Sequence, residues 1–161
     1  MNSKRIFAAL AITVMIGGLI ALGGAQLNVR GDEYNPHHEL VGSWEVTVMP
    51  TGQDPIVDFA TFTEGGGFIG TDPDPNISTG LGTWEKIGPN RYAVTFVHFL
   101  SDQGTPLGTL KVRAQMTLDS RTDTFSGPFR TDVVIGGNVV QSFCGTVEAK
   151  RVNAEALEAC P

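Results

Sequence analysis

The sequence predicts an all-β fold, an eight-stranded antiparallel up-and-down barrel with a short C-terminal tail or helix, from three observations. Turn signals rich in Gly, Pro, Asn and Asp recur every ten to fifteen residues from Val41 onward. Between them, apolar and polar residues alternate with the period of two that belongs to strands. No helical period long enough to cover a sheet occurs in that region, so the apolar face must bury itself. Closing the sheet does this and removes the exposed edges. A two-sheet sandwich is the alternative arrangement.

The elements follow in order. Strand one is Gly42–Met49, where Trp44, Val46 and Val48 alternate with Glu45 and Thr47, and Pro50–Pro55 ends it. Strand two, Ile56–Thr63, is closed by Gly65-Gly66-Gly67, and Phe68–Thr71 is a short third strand. Asp72-Pro73-Asp74-Pro75-Asn76 cannot be regular, because two prolines remove donors and restrict the residues before them. Strand four is Gly80–Ile87 and strand five Arg91–Leu100, separated by Gly88-Pro89-Asn90. Strand six, Leu107–Leu118, alternates most cleanly: Leu110, Val112, Ala114, Met116 and Leu118 oppose Thr109, Lys111, Arg113, Gln115 and Thr117. Strand seven is Asp123–Ile135, then Gly136-Gly137-Asn138 signals a hairpin into strand eight, Val139–Lys150. The tail from Asn153 reads as one or two helical turns capped by that residue.

The chain before the barrel has a different composition. Lys4 and Arg5 precede an uncharged run, Ile6–Leu22, and small residues follow at Gly23-Gly24-Ala25. Basic start, apolar middle and small-residue end make a secretory signal cleaved after Ala25; the alternative is an uncleaved membrane anchor. The division is therefore 1–25 signal peptide, 26–40 linker, 41–152 barrel and 153–161 tail. The expected location is secreted or periplasmic, without stable membrane insertion after cleavage. Losing Lys4 and Arg5 takes the formal charge from −6 to −8. An acidic chain with no Lys/Arg cluster lacks the phosphate-neutralising surface that nucleic acid or an anionic membrane requires. The only two cysteines, Cys144 and Cys160, both lie in the exported part, and an oxidising compartment favours a disulfide between them.

Gly42-Ser43-Trp44, opening the first strand, and Arg151, ending the last, resemble the lipocalin-like (calycin) barrels. Gly82-Thr83-Trp84 followed by Gly88-Pro89-Asn90-Arg91-Tyr92 resembles small bacterial lipocalin-like domains. The resemblance covers Leu40–Val152. It implies that Trp44 closes one end of the barrel, with a basic residue of the last strand packed across it.

Motif chemistry is sparse. His37-His38 lack the spaced partners of a zinc site, and neither a phosphate-binding glycine loop nor a nucleophile elbow is present. The reading carries no metal and no cofactor. Asn76-Ile77-Ser78 is a glycosylation sequon, coincidental in a bacterium. His98 shares its face of strand five with Tyr92, Val94 and Phe96. Were it to meet Asp58 or Glu85 in a dry interior, the pair could run acid–base chemistry in a cofactor-independent cyclase or isomerase. The first expectation is instead a binding protein for a small apolar molecule. Its interior would comprise Val46, Val48, Tyr92, Phe96, His98, Leu110, Val112, Ala114, Met116, Phe125 and Phe143, with Ala114 and Gly145 leaving room. A third possibility is a solid barrel serving as an envelope interaction module, since eight strands can fill completely with side chains. Nothing in the pattern specifies an oligomeric state.

Overall fold

The computed structural model describes residues 40–158 and Cys160. The signal segment 1–25, the His37-His38 pair and the linker up to residue 39 lie outside the described residues. Eight strands follow one another: β1 (Gly42–Pro50), β2 (Ile56–Phe62), β3 (Gly67–Gly70), β4 (Gly80–Gly88), β5 (Arg91–Asp102), β6 (Thr105–Asp119), β7 (Thr124–Ile135) and β8 (Asn138–Arg151). Each pairs antiparallel with its sequence neighbour, and β1 pairs with β8 from Trp44↔Arg151 to Pro50↔Gly145. The sheet is thus a closed up-and-down barrel, not a sandwich. Glycines at positive φ, including Gly65, Gly66, Gly136 and Gly137, occupy the hairpins where other residues would be strained.

Alternation places one apolar row of each strand inside. Trp44, Phe62, Tyr92, Met116, Leu118 and Phe125 form the most buried part, and Leu40 packs among them. They mark one end of the barrel, where β1 starts and β8 ends. Trp44 is fully buried; its indole N–H donates to the Leu40 carbonyl at 2.9 Å, and its ring lies 4.9 Å from that of Phe125. The Arg151 guanidinium sits 4.3 Å from the Trp44 ring, donates to the Val41 carbonyl at 2.7 Å, and pairs with Asp123 at 3.1 Å. Gly42 makes room for it: a Cβ there would lie 2.5 Å from Arg151 Nη1, and φ is +127°. One aromatic ring, one stacked cation and one glycine therefore close this end.

The outer wall carries a second ordered device. Asp132 of β7 accepts from Arg113 at 2.7 Å, Arg130 at 2.9 Å and Ser142 at 2.6 Å, so three adjacent strands share one carboxylate. Those hydrogen bonds, from Ser142 first and then the two arginines, hold its carboxyl well below the usual range.

Two expectations are corrected. Residues 152–158 are not helical. So short a segment is marginal as a helix without packing, and Leu157 is 98% exposed. The Cys144–Cys160 disulfide is absent; both thiols are free and exposed. β8 carries the chain from Cys144 to Arg151, roughly 23 Å at about 3.3 Å per residue. The tail does not fold back over that distance.

Candidate binding cavity

The barrel is not filled. A cavity of about 290 Å³ runs down from the end opposite Trp44. Its apolar wall comes from seven of the eight strands: Val46 and Val48 of β1, Ala60 and Phe62 of β2, Phe68 of β3, Phe96 of β5, Leu110, Val112, Ala114 and Met116 of β6, Phe125 and Phe129 of β7, and Phe143 and Val147 of β8. Gly70 lines the cavity and pairs across β3 and β4 with Gly80, which is buried behind it. A Cβ at Gly70 would meet the Phe68 ring at 2.9 Å, and one at Gly80 would meet His98 Cε1 at 2.7 Å. The missing side chains let these rings lie flat against the wall. Gly145 leaves no such room, since the Phe129 ring already lies 2.7 Å from where its Cβ would be.

His98 points inward and is only 3% exposed. Its Nδ1 lies 2.6 Å from the Ser78 carbonyl, and its ring packs edge-on against Phe96 at 5.2 Å. A carbonyl can only accept, so Nδ1 carries the proton. Nε2, the other ring nitrogen, has no hydrogen-bond partner among the described residues.

Asp58 also lines the cavity. Its Oδ1 accepts from the Thr71 hydroxyl at 2.6 Å and from the Phe59 N–H at 2.7 Å, whereas Oδ2 has no partner among the described residues. Burial pushes its carboxyl above the ordinary value, and the like charge of Asp72 adds to this; the hydrogen bonds and His98 oppose it. Asp72 and Asp74 stand beside it at the mouth, with Gln53. Thr131, only 4% exposed, contributes a hydroxyl that makes no hydrogen bond among the described residues.

Two residues singled out from the sequence stand elsewhere. Tyr92 is buried at the closed end beside Trp84, 5.8 Å between ring centres, and does not line the cavity. Glu85 is exposed on the outer face of β4, because its neighbour Trp84 takes the inward position. No His98–Glu85 pair exists, and His98 and Asp58 share the cavity without touching. Asp72, Asp74, Ser78, Gly80 and Thr131 were missed. The Gly70/Gly80 pairing could have signalled the site, since glycine inside a strand often marks a close approach.

Among the described residues, no group of three or more His, Cys, Asp or Glu side chains is placed to hold a metal ion. Comparison with family models, curated proteins and solved structures gives no match.

Proposed function

We propose that this chain is an exported binding protein of lipocalin-like design that holds a small, mostly apolar molecule inside its barrel. The cavity carries this reading: about 290 Å³, walled by aliphatic and aromatic side chains, with a few polar groups gathered at one end. Ligand sites have that composition, the apolar wall giving affinity and the polar groups orientation. A solid interaction module would need those side chains to meet, and they do not. Cleavage after Ala25 would deliver the barrel to the periplasm or medium, which N-terminal sequencing of the exported protein checks. The Trp44–Arg151 stack supports the lipocalin-like resemblance.

Ala114 is the position from which to test it, being a small side chain on the cavity wall. Titration of delipidated protein with an apolar fluorescent probe should saturate for the wild type. Ala114→Phe should abolish that binding while leaving the strand circular-dichroism signal in place. Binding untouched by the substitution would place the probe outside the barrel and reject the internal site.

The His98 ring, with Nδ1 anchored and Nε2 open to the cavity, also has the arrangement of an acid–base group. It favours a cyclase or isomerase as the second reading, with Asp58 as the only carboxylate of the original pair still available. Turnover of a candidate substrate that is lost in His98→Gln would promote it.

A further inference from the structure

The polar end of the cavity has a chemical bias. Three carboxylates line it, Asp58, Asp72 and Asp74, and no Lys or Arg does. None of the three forms an ion pair among the described residues. The arginines of the neighbouring wall are committed outside, Arg113 and Arg130 to Asp132. His98, buried and fixed by the Ser78 carbonyl, turns its other ring nitrogen, Nε2, into the same space without a hydrogen-bond partner among the described residues. Asp58 Oδ2 is an acceptor without a donor among the described residues. Apart from His98 Nε2, the Thr131 hydroxyl and the Gln53 amide, which serve either role, the groups left open here are acceptors.

Such a set is complementary to a donor-only, positively charged group. An alkylammonium has three N–H donors and no acceptor, and like the lysine side chain it is protonated at neutral pH. A carboxylate in the same place would meet Asp58 and Asp72 with like charge and find no Lys or Arg. A hydroxyl could satisfy one acceptor but not the charge.

Resting on the binding reading above, we infer that the ligand is an amphiphilic amine, its hydrocarbon body in the apolar wall and its ammonium group on the open Asp58 Oδ2. Asp72 and Asp74 stand at the mouth as further negative charge, drawing the cation in.

The test compares three probes of equal chain length, n-decylamine, n-decanol and decanoate, by isothermal titration of the mature protein at neutral pH. Charge-assisted hydrogen bonds to a partly buried acceptor are worth enough to separate amine from alcohol by about tenfold or more. Decylamine should bind tightest and decanoate weakest. In Asp58→Asn, which keeps an acceptor for Thr71 but loses the charge, the amine-to-alcohol ratio should fall about tenfold, and thermal melting establishes that the variant is folded. Decanol or decanoate binding as tightly as decylamine overturns the inference and leaves the binding reading standing. An unchanged ratio in Asp58→Asn also overturns it. Binding of none of the three overturns both.

Discussion

The two ends of this barrel treat their polar groups in opposite ways. At the end where β1 begins, the Trp44 indole N–H is bonded to the Leu40 carbonyl, and the Arg151 guanidinium spans Val41, Asp123 and the Trp44 ring. At the other end, His98 and Asp58 each use one polar atom on the protein and leave the second open to the cavity. Burying a polar atom without a partner costs free energy, so such atoms survive where something else compensates. The closed end contributes stability that the open end can forgo. The strands follow the same division. β5 to β8 run 12, 15, 12 and 14 residues, against 9, 7, 4 and 9 for β1 to β4. The short β3 leaves Asp72 and Asp74 on a loop at the mouth, where the long strands could not have placed them.

The largest effect should come from breaking the closed end. Trp44→Ala removes a fully buried indole, leaves the Leu40 carbonyl without its donor and takes the stacking surface from Arg151. Aromatic-to-Ala changes in cores cost about 3–5 kcal/mol, and denaturant unfolding should show a loss in that range. A loss under about 1 kcal/mol would mean that the end is not held by Trp44, and the division between the ends would collapse. Substitutions of the polar residues at the open end should cost less, since His98 and Asp58 each hold only one polar atom on the protein and leave the other facing the cavity.

The barrel was legible because its pattern is local. Strand six alternates without interruption, and its inward row, Leu110 through Leu118, is the row that faces the interior. The closed end was expected from the resemblance carried by Gly42-Ser43-Trp44 and Arg151 and not from alternation; the register pairs Trp44 with Arg151 directly. The open end was less legible. Asp58 and His98 both sit on inward rows, which alternation can show, but Glu85 alternates too and faces out, because parity within a strand does not say which parity is inside. Trp84 decides it by packing toward Phe62 and Tyr92. Strand five is apolar on both faces: Val97 and Phe99 remain exposed, at 37% and 72%, so hydrophobicity alone could not rank its sides. Asp72 and Asp74 lie in a proline-rich loop, whose path into the mouth depends on where β2 and β5 stand, not on its own sequence. The disulfide was expected from the only two cysteines of a chain read as exported, but pairing also requires matching backbone geometry, and both thiols are free.

The smallest effect is the one that separates binding from stability at a single residue. Burial raises the Asp58 carboxyl above its ordinary value, so the ionised form is less favourable in the folded protein than in the unfolded chain. A group with a raised folded value contributes its stability below the unfolded value of about 3.9, and loses it as pH rises through the folded value. Asparagine cannot ionise and still accepts the Thr71 hydroxyl. Asp58→Asn should therefore melt with the wild type at about pH 3, where Asp58 is protonated, and above it at neutral pH. The sign is opposite to that of most substitutions of a hydrogen-bonded buried residue, which destabilise. Melting curves of the two proteins across that interval measure it directly. A variant that melts at or below the wild-type temperature at neutral pH would show that the Asp58 charge is not kept at a cost to folding, and the open end would then be no less stable by construction than the closed one.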